Sequence, residues 1–182
     1  MNKVSIGFSR PKKWKPLAWL IMLIEGTNFS HTFVTRKCTN IGARKVFEAV
    51  GSGVRIISNN RFKEKAWVVE IYVFEVSDEV VHWLDRYSHE QAGKPYGFKH
   101  ILGLALMRAL KSINIKIANP FKDGKYSEVC VESGGQVVER GLGIDLPGDL
   151  EDYGLVEYHQ FIKQYGEKAP PEKIARINGV GK

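Results

Sequence analysis

The chain has 182 residues, 43% of them hydrophobic and 26% charged, with a net charge of +7 and a pI near 9.4. That length and composition fit one soluble globular domain with its own core; they exclude a disordered chain, and two cysteines, Cys38 and Cys130, are too few for a disulfide scaffold. The basic excess suits anionic surfaces or acidic polymers, but it is not gathered into an aromatic-and-basic reading motif, so nucleic acid is not the expected partner.

Lys3 to Ser9 alternates and reads as a strand. Arg10-Pro11-Lys12-Lys13 leads into the apolar run Leu17 to Ile24. Basic residues ahead of that run resemble a signal peptide, yet it is too short to span a bilayer and Glu25-Gly26-Thr27-Asn28 offers no small-residue cleavage site. Pro16 at its start and Gly26 past its end predict a buried helix. Strands follow at Ser30–Arg36, Lys45–Val50, Gly53–Ser58 and Ala66–Val76, the last rich in β-branched and aromatic residues. Ser77 caps a helix through about Gln91 with Val80, Val81 and Leu84 inward, and Ala92 to Gly97 breaks it. An apolar helix runs from His100 to about Ser112, and a loop at Asn119–Gly124 precedes a helix carrying Cys130. A short helix is expected at Tyr158–Tyr165. The fold class is α+β, a mostly antiparallel sheet with packed helices, over one domain of residues 1–165; residues 166–182 read as a basic, solvated tail.

The chemistry centres on Cys130. With Ser127 as N-cap it falls in the first helical turn, where unpaired amides favour thiolate and offer a donor to an oxyanion. The competing reading is a small buried hydrophobe between Val129 and Val131. His31, at a strand start, is the natural base, and Glu48, on a strand expected to pair with it, is the acceptor that would fix its tautomer. For His31 the alternative is an ordinary core or surface histidine, and for Glu48 a solvent-facing strand residue. His82, His89, His100 and His159 have no obvious acidic partner in the sequence and read as structural or solvated. Neither cysteine sits in a Cys-x-x-Cys pair, so no metal is expected, and nothing calls for a cofactor.

Gly7-Phe8-Ser9, Glu25-Gly26-Thr27-Asn28-Phe29-Ser30-His31, Phe47-Glu48-Ala49, Gly93-Lys94-Pro95-Tyr96-Gly97 and Val129-Cys130-Val131-Glu132 occur in an order that resembles the permuted, papain-like branch of the NlpC superfamily, the YiiX-like proteins of bacteria and their phages. His before Cys is the reverse of papain's order, so a papain-like reading is necessarily circularly permuted. The resemblance spans about Val4 to Ile162. It implies a Cys-His-polar triad carried by Cys130, His31 and Glu48, with Tyr96 lining the cleft or donating to an oxyanion. The family's usual serine after the cysteine is Val131 here, and Gly134-Gly135 lies inside the helix.

The expected function is a cysteine hydrolase cleaving an amide or ester through a thioacyl intermediate, on a peptide, peptidoglycan or lipid-ester substrate. The cytoplasm of a bacterial host is the expected compartment, with no transmembrane segment. The rival readings are a catalytically silent binding domain on the same fold and a basic, nucleic-acid-associated phage protein.

Overall fold

The computed structural model describes residues 1–37, 43–111, 113–121 and 127–179. Cys38 and residues 122–126 of the loop before the Cys130 helix lie outside them. Six strands, β1 (Asn2–Pro11), β2 (His31–Lys37), β3 (Arg44–Val50), β4 (Gly53–Ser58), β5 (Ala66–Val76) and β6 (Glu167–Lys168), form an antiparallel sheet in the order β4-β3-β2-β1-β5-β6. Seven α-helices accompany it among the described residues: α1 (Pro16–Glu25), α2 (Asn59–Lys65), α3 (Asp78–Gln91), α4 (Phe98–Lys111), α5 (Cys130–Gln136), α6 (Leu155–Tyr165) and α7 (Pro171–Asn178). The α+β class read from the sequence is the class observed.

Strand alternation sends side chains to two cores. Val4, Ile6, Phe8, Val34, Phe47, Tyr72 and Phe74 meet Leu84 of α3, Val131 of α5 and Tyr158 and Ile162 of α6 in the larger one. Phe33, Val46, Ile71 and Val73, of opposite parity, pack with Phe62 of α2, Ala169 and the α7 residues Ile174 and Ile177. Each fully buried large side chain stabilises by roughly 1.5–3 kcal/mol. Both faces of the sheet are thus covered, which explains why β1 is buried at six consecutive positions.

Three expectations need correcting. α1 forms where Pro16 and Gly26 predict, with Gly26 closing it at φ 63°, but none of its residues is buried. Other helices already cover the sheet, so α1 packs along one side only and leaves Trp19, Leu20 and Leu23 exposed. The segment read as a solvated tail is docked as far as Asn178: β6 pairs with β5, Ala169 is buried, and the Asn178 side chain bonds both the amide (2.9 Å) and carbonyl (2.8 Å) of Val68. The lysines concealed a short amphipathic helix whose isoleucines complete the smaller core. α2, which the sequence reading passed over, is capped by Ser58 and buries only Phe62.

Candidate active site

His31 opens β2, at the end of the sheet, opposite Ser9 and beside an irregularity in β1 at Phe8/Ser9. By strand parity it falls on the side of Phe33, whereas Cys130 belongs to the larger core on the other side. His31 is the first residue of β2, so its side chain lies where the strand begins and not among the sheet's interior positions. The Cys130 thiol is near enough to act on the charge of the imidazole, whose Nε2 lies 2.9 Å from Oε2 of Glu48.

Glu48 sits on β3, only 2% exposed, and its second oxygen accepts from Arg55 Nε (2.9 Å) and Nη2 (2.6 Å). Arg55 is its direct partner across the β3–β4 hairpin, so both oxygens of a buried carboxylate are satisfied by cationic donors. Burial alone would raise this carboxyl, but His31 and Arg55 outweigh it and hold it below its usual range. Burial likewise works to lower the His31 imidazole; the hydrogen bonds and charges of Cys130 and Glu48 overcome it and push the ring up to about 9.

The Cys130 thiol is buried and begins α5. The N-cap is Val129, not Ser127 as the sequence suggested, because Glu132 reaches back to accept from the Val129 amide at 2.8 Å. Cys130 is therefore the first helical residue, whose N–H has no acceptor within the helix. Gly134 and Gly135 have packing reasons: a Cβ on Gly134 would stand 2.5 Å from the Tyr158 hydroxyl, and one on Gly135 would stand 2.1 Å from a Leu150 methyl.

Tyr96 is brought to the thiol by a short parallel bridge between its segment and Glu128, in which Gly97 donates to Glu128 (3.2 Å) and Glu128 donates to Pro95 (3.1 Å). Tyr96 and Cys130 line one slot, and burial, followed by the charges of Cys130 and Glu132, raises the phenol well above its ordinary range. Two hollows flank the group. On the thiol side, an apolar slot of about 50 Å³ is walled by Ile21 and Ile24 of α1 and by Ile101, Leu104 and Ala105 of α4. On the imidazole side, a groove of about 380 Å³ includes Arg10, Lys15, Arg55 and Lys65.

The four site residues read from the sequence are thus gathered in one place. Arg55 was missed, although Gly51-Ser52 as a two-residue hairpin loop fixes the register that sets it opposite Glu48. Two histidines have the acidic partners the sequence did not reveal. His100 Nδ1 is 3.1 Å from Glu132, and His159 Nε2 is 2.6 Å from Glu70, which also accepts from Tyr72 and Lys168. Both pairs join residues distant in sequence, which pattern reading cannot couple.

No protein-family model matches the chain, and no curated protein matches it significantly. Among solved structures it is similar to metalloprotein YiiX of Escherichia coli O157:H7 (DUF1105), at 19% identity and a TM-score of 0.52, over 95% of this chain and 89% of that one. At that identity the likeness is one of fold. Among the described residues no group of three His, Cys, Asp or Glu is arranged to hold a metal ion.

Proposed function

We propose that the chain is a cysteine acyl hydrolase on a circularly permuted papain-like fold, with Cys130 as nucleophile, His31 as base and Glu48 as the residue that orients it. The observation that carries this reading is the place of His31, held by a buried carboxylate at 2.9 Å and within electrostatic reach of the Cys130 thiol. Glu48 accepts a hydrogen bond from the Nε2–H and keeps that proton on the ring, which leaves Nδ1 to exchange a proton with the thiol. The thiolate attacks an amide or ester carbonyl, and the negative oxygen is met by the Cys130 amide and the Tyr96 hydroxyl. Collapse of the tetrahedral species expels an amine or alcohol, which takes its proton from the imidazolium. Water, deprotonated by His31, then releases the acid and restores the thiol.

The slot at the thiol suits the apolar part of an acyl group, and the basic groove suits a polar or anionic leaving portion. Labelling with a panel of peptide, ester and thioester electrophiles tests the reading, using the unchanged chain, Cys38→Ala, Cys130→Ala and His31→Ala. Label on Cys130 that survives Cys38→Ala and disappears in His31→Ala is expected. Faster labelling of Cys38, or indifference to His31, overturns it in favour of a binding domain without catalysis.

A further inference from the structure

The outer sides of α1 and α4 are the least explained surface of the molecule. On α1, Trp19 (54% exposed), Leu20 and Leu23 (63%) share one helical face. On α4, Phe98, Leu102 (61%) and Leu106 recur at four-residue spacing and form an outward stripe. Trp14, just ahead of α1, is 76% exposed. Arg108 of α4 is paired with Glu25 of α1, and the inner sides of the two helices wall the same slot, so the two stripes border one opening. Monomeric proteins rarely leave so many large apolar side chains together in water.

The charges beside them have one sign. Residues 10–24 contain Arg10, Lys12, Lys13 and Lys15 and no acid, and the side chain of Glu25, which ends α1, is buried against Arg108; residues 98–121 add Lys99, Lys111 and Lys116 and no acid, Arg108 being engaged by Glu25 and Glu157. A protein partner is met by interspersed charges of both signs; tryptophan and leucine ringed by lysine are what a headgroup layer receives. α1 has ten residues, and no helix among those described is long and apolar enough to cross a membrane, so such contact would lie along the surface. We propose that the α1–α4 face docks the protein on an anionic lipid bilayer, apolar stripes in the interface and lysines on the headgroups, with the slot that ends at Cys130 on the membrane side.

The inference rests on the surface and not on the thiol chemistry, so Cys130→Ala should bind as the unchanged chain does. Cosedimentation with vesicles of phosphatidylcholine alone, and of phosphatidylcholine with phosphatidylglycerol, tests it, read together with tryptophan fluorescence. Binding to the anionic vesicles only, weakened by salt and accompanied by a blue shift from Trp14 and Trp19, is expected. The pair Leu23→Glu/Leu102→Glu should abolish it. Lys13→Glu/Lys99→Glu should weaken it by about tenfold or more, since each cation near such a surface is worth roughly fivefold. The fluorescence arm uses the unchanged chain and so does not depend on any variant folding. Equal, salt-insensitive binding to both vesicles overturns the proposal. So does the absence of binding, including the case where the chain forms a dimer that Leu23→Glu dissociates, which would assign the face to a second copy.

Discussion

Glu48 is held from two sides, and the consequence is a residue that can orient without accepting the proton. His31→Ala should lower turnover by ~10²–10⁴-fold while still folding, with a lower melting temperature because Glu48 loses a partner, whereas Glu48→Gln should cost less turnover, because the proton acceptor remains. The titration of His31 separates orientation from mere support. Its raised value means that the charged ring contributes stability fully below its ordinary 6.5, and that this is lost as pH rises through about 9. In Glu48→Gln the His31 NMR titration should move to lower pH, the carboxylate charge being gone; an unmoved midpoint would show that Glu48 does not hold the imidazolium. Glu70 gives the opposite sign. Lys168, Tyr72 and His159 overcome its desolvation and depress it to about 2, so its contribution is present above 4.5 and fades as pH falls toward 2. Glu70→Gln should therefore flatten the acid limb of stability between those values, measured by urea unfolding across pH.

At the scale of elements, α5 joins the site to the core, and its glycines show packing overriding propensity. Alanine favours a helix interior over glycine by about 1 kcal/mol, yet Gly134→Ala would drive a methyl against the Tyr158 hydroxyl of α6. The expected outcome is a net destabilisation of about 1–3 kcal/mol, seen as a lower melting temperature; a rise would mean that Tyr158 gives way. Strands and capped helices were the most legible parts of the sequence. Gly53–Ser58, Ala66–Val76 and the Ser77-capped α3 form as read, because β-branched alternation and a serine cap are local signals. The Val129 cap was not legible, since it depends on Glu132 folding back rather than on the residue that looks like a cap. His31 and Glu48 could be paired from strand adjacency, while the meeting of His31 with Cys130 needs the whole sheet's order.

For the whole molecule, the carboxyl-terminal segment is a structural member. Residues after Tyr165 supply a sixth strand, the buried Ala169 and one wall of the smaller core. Ending the chain at Tyr165 should therefore lower the melting temperature and speed hydrogen exchange at the Val68 amide, which Asn178 now holds. Unchanged exchange there would return the segment to the status of an appendage. Its basic residues disguised it; two isoleucines three positions apart, between Pro171 at the start and Gly179 past the end, were the signs of a docked helix.

His31, Glu48 and Arg55 all lie within one run of neighbouring strands that ends at Ser58, while Cys130 comes from α5. As the polypeptide leaves the ribosome, the carboxylate-backed imidazole can therefore be assembled well before its sulfur exists. At ~5–20 residues per second, the thiol is synthesised roughly 5–20 s after the histidine. On the proposed reading the order of emergence is a timer: the proposed base is made with nothing to activate, and reactivity would begin only when the last third of the chain closes over it.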